Sequence, residues 1–193
     1  MGAQLVASPA VRGVMFTGST DVARIIARTL ADRLDDNGHT IPLIAETGGQ
    51  NAMVVDSSAL SEQVVFDVLS SAFDSAGQRC SALRVLCVQE DNADHVLTML
   101  RGAMRELSVG NPDRLSVDVG PVIDTEARNG IQRHIETMRT AGHRVDQVEL
   151  NGECRHGTFV APTIIEIDHI SELTREVFGP VLHVVRYLSL IHI

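Results

Sequence analysis

Short apolar runs, rich in β-branched residues, alternate along this chain with segments whose apolar residues recur every three to four positions. VRGVMFTGS at 11–19, TIPLIAE at 40–46, NAMVVDSS at 51–58, ALRVLCVQE at 82–90, HGTFVAPTIIEI at 156–167 and EVFGPVLHVVRY at 176–187 read as extended. The segment 20–34 carries Val22, Ile25, Ile26, Leu30 and Leu34 at helical spacing, and 61–76 carries Val64, Val65, Val68, Leu69 and Phe73 likewise. Helices are also expected over 92–107 and 124–142. Ser19 or Thr20 would cap the first helix, with Asp21 in its first turn, and Asp36-Asn37-Gly38 would close it. Strands alternating with helices imply an α/β fold with a mostly parallel sheet.

Composition removes several classes of function. The 193 residues allow one large domain or parts of two, and a net charge of −9 argues against nucleic acid or an anionic membrane as partner. Aromatic residues make up 3% with no Trp, too few for a base-stacking surface. Three cysteines without a CxxC, and eight histidines without HxxxH or HExxH, predict no disulfide framework and no metal site. A reducing, cytoplasmic setting is the expectation from that cysteine usage. The start, MGAQLVASPAVRG, has no signal-peptide pattern, and no apolar run reaches the roughly 18 residues of a membrane span. The chain enters at a strand with no preceding unit and leaves on LSLIHI, an apolar ending. The expectation is a fragment, with 188–193 foreign to the fold.

Four stretches could carry chemistry. In VMFTGST, a strand runs through Gly18 and Ser19 into a helix N-terminus, a place that favours an anion; it is also an ordinary strand-to-helix turn. In IAETGGQNA, Glu46 ends an apolar strand beside two glycines, where α/β folds place ligands; desolvation there would suit a general base, and a solvated turn is the plain alternative. In AGQRCSALR, Cys80 sits among small and polar residues, a poor place for a packing cysteine and a good one for a nucleophilic thiol near the charge of Arg79. By contrast, Cys87 reads as core and Cys154 as a loop thiol without a role. In REVFGPVL, Glu176 and Phe178 precede a tight Gly-Pro turn.

FTGST, ETGGQ, GQRC and EVFGPV, in this order and over nearly the whole chain, resemble the aldehyde dehydrogenase superfamily. ETGGQNAMVVDSSAL with SAFDSAGQRCSALRVL is similar, more narrowly, to the L-glutamate γ-semialdehyde dehydrogenases, including the dehydrogenase part of bacterial bifunctional proline-utilization proteins. The resemblance implies an aldehyde-dehydrogenase-like α/β fold. Residues 1–46 would end a Rossmann-type NAD-binding domain, and 47–187 would form most of a catalytic domain. It implies Cys80 as the nucleophile that adds to the aldehyde and Glu46 as the base that activates water on the thioester. NAD is the implied cofactor, with Gly18 and Ser19 at the pyrophosphate, Thr47 and Gly48 at the nicotinamide, and Glu176 with Phe178 at the nicotinamide ribose. Arg79 and Ser81 would lie beside the aldehyde substrate.

The resemblance also implies missing N- and C-terminal parts of the same polypeptide, a homo-oligomeric parent, and little turnover by the 193-residue chain itself. Where relatives commonly have ELGGK, this chain has ETGGQ, and Ala23 stands where a Gly is frequent. Two other readings remain: a different aldehyde dehydrogenase, including a CoA-acylating type that dispenses with the base Glu46 supplies, and a catalytically silent assembly module.

Overall fold

The computed structural model describes residues 1–189 and 191. The expectation for 188–193 falls partly on residues 190, 192 and 193, which lie outside the described residues. The chain divides into two compact units, Met1–Gly49 and Gln50–Ile193.

The first unit holds two parallel strands, β1 (Val14–Thr17) and β2 (Leu43–Glu46), with helices α1 (Gly2–Ala7) and α2 (Thr20–Ala31). Ile26 and Leu30 of α2 bury with Ile41, and Val14, Phe16 and Leu43 pack against them. As expected, Ser19 caps α2, its Oγ accepting from the Val22 N–H at 3.3 Å. The helix stops at Ala31, short of the Asp-Asn-Gly turn. Asp35 explains the gap: its Oδ1 accepts from the Asn37 and His39 N–H groups, each at 2.8 Å, a turn that competes with helix. Gly38 takes φ +81° inside that turn. Helix α1 has no buried residue, and its six residues carry no readable period. Arg33 ties the end of α1 and the segment after it to the unit, donating to the carbonyls of Val6, Ser8 (2.7 Å) and Val11 (2.9 Å).

The second unit is built on a five-stranded sheet. Its strands are β3 (Ala52–Val55), β4 (Val85–Gln89), β5 (Val145–Gln147), β6 (Thr163–Ile167) and β7 (Val181–Tyr187), in the spatial order β3-β4-β7-β6-β5. All neighbours are parallel except β5, an antiparallel edge of three residues too short to show a pattern in sequence. The central strands are apolar on both faces, as a covered parallel sheet requires. Helix α3 (Ser61–Phe73) buries Val64, Val65, Val68 and Phe73, and α4 (Glu90–Arg105) buries Val96, Leu97, Leu100 and Met104. Helix α5 (Thr125–Thr140) starts at Asp124, whose Oδ1 accepts from the Ala127 N–H at 2.8 Å, and buries Ile131, Ile135 and Met138. Helix α4 begins two residues before the expected 92, because Glu90 and Asp91 suit a first turn. Cys154 departs from the expectation: it is buried in a short 3-10 turn, its thiol 3.5 Å from the Val109 carbonyl, and burial raises its pKa.

One histidine is buried within the central strand. His183 of β7 is buried, with its Nε2 2.8 Å from Nε2 of His134 on α5 and its Nδ1 3.3 Å from the Arg84 carbonyl oxygen. Burial, and then the neighbouring His134, push its pKa down from 6.5 to about 4. Unfolded, the imidazole takes its proton near pH 6.5; folded, only near 4. Between those values the unfolded chain binds more protons, so stability present above pH 6.5 is lost as the pH falls toward 4. The loss is on the order of 3 kcal/mol at 1.36 kcal/mol per pKa unit. Urea midpoints measured from pH 7 to pH 4 should fall across this window. The same series on His183→Val should be flatter, and an equal fall in the variant would remove His183 as the cause.

Candidate active site

The Cys80 turn begins where α3 fails to continue. After Phe73 the backbone enters the left-handed region at three successive residues, Ser75 (φ 56°), Ala76 (φ 53°) and Gly77 (φ 64°). For residues with a Cβ this costs roughly 1–2 kcal/mol each, so the surroundings must hold it. At Gly77 space forbids a side chain as well: a Cβ would stand 2.2 Å from the Gly179 carbonyl oxygen and 2.8 Å from that of Ala72.

The holding contacts come from four side chains. Gln78 accepts the Ile123 N–H at 2.9 Å. Asn51 donates to the carbonyls of Cys80 (2.8 Å) and Ala82 (2.9 Å). Arg79 folds back on α3, donating from Nη2 to the carbonyls of Ser70 (2.9 Å) and Ser71 (3.4 Å). Arg84 donates to the carbonyls of Gly77 at 2.6 Å and Arg79 at 3.1 Å. Between these anchors the Ala82 N–H bonds back to the Arg79 carbonyl at 3.1 Å, a tight turn with Cys80 and Ser81 at its tip. Both tip residues are exposed, and Cys80 is a free thiol. Cys87 is half-buried in β4 and its pKa is raised by burial, so it is a poor thiolate source.

Glu176 and Phe178 lie on the loop that enters β7. The Glu176 carboxylate presents Oε1 to Arg84, 3.0 Å from both Nε and Nη2. Among the described residues Oε2 has no hydrogen-bond partner, and Glu176 keeps some exposure. The Phe178 ring, 44% exposed, stacks on the same guanidinium, 5.0 Å from Cζ to centroid. Because β3, β4 and β7 are parallel neighbours, the segments entering them share one end of the sheet. Asn51, the Cys80 turn and the Glu176–Phe178 loop therefore gather at the strands' amino ends. That reverses the usual rule for α/β sheets, in which ligands sit outside the carboxyl ends.

In the first unit the candidate residues stand at the carboxyl ends of the strands. Gly18 follows β1 and Glu46 is the last residue of β2, and the Gly18 N–H donates to the Glu46 carbonyl at 3.1 Å. The Glu46 side chain and Gly48 are exposed, and Thr47 is half-buried. The structure thus joins Gly18, Ser19 and Glu46 within one unit, and Cys80, Arg79, Ser81, Glu176 and Phe178 within the other.

Two residues central to this geometry, Arg84 and Asn51, were not singled out by sequence reading. Arg84 has a signal in retrospect: a full charge opening the otherwise apolar VLCV run, which a strand interior does not carry without a partner.

The profile of the Aldehyde dehydrogenase family matches residues 1–192. The chain belongs to that family. It is 65% identical over 192 residues to the bifunctional protein PutA of Klebsiella aerogenes, a match covering 97% of this chain and 15% of that protein. It is 35% identical over 184 residues to the 1-pyrroline-5-carboxylate dehydrogenase of Bacillus mycoides strain KBAB4, covering 94% of this chain and 35% of the relative. The crystal structure of a Bradyrhizobium japonicum proline utilization A (PutA) mutant superposes with a TM-score of 0.90 at 53% identity, over 97% of this chain and 18% of that one. The α/β fold is that of the family. The chain spans only a minor part of the length of these relatives. Members of the family generally use a nicotinamide dinucleotide. No helix among the described residues is long and apolar enough to cross a membrane.

The close approach at Gly77 yields a stability test. Gly142 also has positive φ (+95°) but nothing within 4 Å of its missing Cβ. Gly142→Ala should cost about 1 kcal/mol of conformational strain, whereas Gly77→Ala adds a backbone clash and should lower stability by several times as much. Urea midpoints of the two variants decide it; equal losses would mean the two turns are not locked together.

Proposed function

We propose that this chain contributes the nucleophile, the base and part of the cofactor site of an NAD-dependent dehydrogenase that oxidises L-glutamate γ-semialdehyde to L-glutamate, the second oxidation of proline catabolism. The observation that carries the reading is the exposed Cys80 thiol on a backbone turn fixed from four sides, in a chain 65% identical to a PutA protein. In this reading residues 1–46 end the cofactor-binding domain and 47–187 belong to the catalytic domain.

Cys80 Sγ, as thiolate, bonds to the aldehyde carbonyl carbon, and the carbonyl π electrons move to oxygen. Loss of hydride from that carbon leaves a thioester on Sγ. A bound NAD⁺ supplies the acceptor for that hydride. Water then attacks the thioester carbon while Glu46 takes its proton; the C–S bond breaks, releasing glutamate and the thiolate. Glu46 is what a hydrolytic outcome needs, in contrast to transfer to a thiol acceptor.

The residues present suit a dinucleotide. Glu176 is held by Oε1 alone, which leaves Oε2 to accept hydrogen bonds from ribose hydroxyls, with Phe178 beside it. Gly18 with the Ser19-capped start of α2 offers backbone to a pyrophosphate, and Thr47 and Gly48 follow Glu46 where the nicotinamide would lie. Arg79 already spends Nη2 on the end of α3, so a contact with the substrate carboxylate would use its Nη1; Ser81 is exposed beside it.

The test is kinetic, in a polypeptide that supplies the rest of a PutA-type chain. Cys80→Ala should lower kcat by about 10⁴-fold or more, with Cys87→Ala and Cys154→Ala retaining activity. Glu46→Gln should release one equivalent of NADH in a burst and then stall at the thioester. Full steady-state activity in Cys80→Ala, or a stronger preference for an unrelated aldehyde over glutamate γ-semialdehyde, would overturn the reading.

A further inference from the structure

We propose that Arg84 is a positioning residue that couples the occupancy of Glu176 to the geometry of the Cys80 turn. This rests on the reading of Cys80 as nucleophile and Glu176 as cofactor ligand.

A guanidinium has five N–H donors in a fixed fork. At Arg84, which is 1% exposed, the contacts match that number. Nε donates to Glu176 Oε1 at 3.0 Å, and Nη1 donates to the carbonyls of Gly77 at 2.6 Å and Gly179 at 3.2 Å. Nη2 donates to the Arg79 carbonyl at 3.1 Å and meets Glu176 Oε1 at 3.0 Å. Three of these five reach the two turns through backbone, so the guanidinium plane is defined by both loops at once. The Phe178 ring closes one face of it. The Arg84 backbone is pinned as well: its N–H donates to the Asn51 carbonyl at 3.0 Å, and its carbonyl accepts the His183 N–H at 2.9 Å.

Stability alone does not ask for this arrangement. Burying a charge costs several kcal/mol, and well-packed apolar residues often replace a buried ion pair without loss. Burial also lowers the Arg84 pKa, against the pull of Glu176. The return is geometric. Gly77 and Arg79, whose carbonyls Arg84 holds, lie just before Cys80, and the carboxylate on the other side of the fork is Glu176. A ligand that draws on Glu176 Oε2 turns the carboxylate, the fork moves with it, and the backbone before Cys80 shifts in turn. Lysine has the charge without the fork and cannot reach all four acceptor groups.

In a polypeptide supplying the rest of a PutA-type chain, Arg84→Lys should raise the KM for NAD⁺ about tenfold, as loss of a bidentate pair implies. It should also lower kcat about 100-fold, as expected for a misplaced nucleophile. Combined with Glu176→Gln, the KM should be no worse than that of the more affected single variant, because both changes break one unit. Strictly additive effects, or a folded Arg84→Lys with unchanged kinetics, would overturn the proposal. Should Arg84→Lys fail to fold, Glu176→Gln in this chain without cofactor answers alone. Hydrogen exchange at the amides of residues 78–81 should quicken about tenfold although the change lies at residue 176; unchanged exchange there sinks the coupling. The enzyme reading fails separately, if Cys80→Ser keeps full activity or Glu176→Gln leaves the NAD⁺ KM untouched.

Discussion

One buried guanidinium organises the end of the second unit that carries Cys80 and Glu176. The loops before β4 and β7 have little regular structure, and one of them holds three residues in the left-handed region. The first buries Ala76 and Leu83 in the core and the second buries Val177. Arg84 adds hydrogen bonds to that packing, and the parallel pairing of β4 with β7, Val85 opposite His183, brings both loops within its reach. The sheet register is therefore a precondition of the site. A slip of one residue would turn the side chains of one strand to the opposite face and leave the guanidinium among apolar neighbours.

The two units place their candidate site residues by different logic. In the first, the strand-to-helix turn puts Gly18 and the Ser19 cap at a helix N-terminus, an arrangement any dinucleotide fold can use. In the second, the thiol stands at the amino ends of the strands, on a turn that side-chain contacts to its backbone hold in place. That explains why the Cys80 turn needs Asn51, Gln78, Arg79 and Arg84, whereas the Gly18 turn needs one serine.

The sequence disclosed the alternation of strands and helices because the apolar periods are long and clean in α2, α3, α4 and α5. It disclosed the Ser19 cap because capping is local chemistry. The stretches around Gly18, Glu46, Cys80 and Glu176 stood out because packing gave no reason for them. What stayed hidden is long-range. Arg84 and Glu176 are far apart in sequence, and their pairing depends on strand order. β5 is three residues whose identity as an edge comes from its partner β6. Cys154 looked like a loop thiol because nothing local announces that Val109 covers it. Asp35 ended α2 early through a side-chain-to-backbone turn that the apolar period at Leu34 obscured.

The three thiols differ in access: Cys154 is covered, Cys87 is half-buried in a strand, and Cys80 stands at the tip of a turn. Soluble oxidants therefore meet Cys80 first, and the first rung of thiol oxidation, a sulfenic acid, forms there before the others are reached. The next cysteine, Cys87, is half-buried in β4 rather than free to trap it as a disulfide, so that adduct can advance to irreversible acids unless an external thiol reduces it. The exposure that would admit a substrate under the proposed function also makes this turn the point most open to chemical damage.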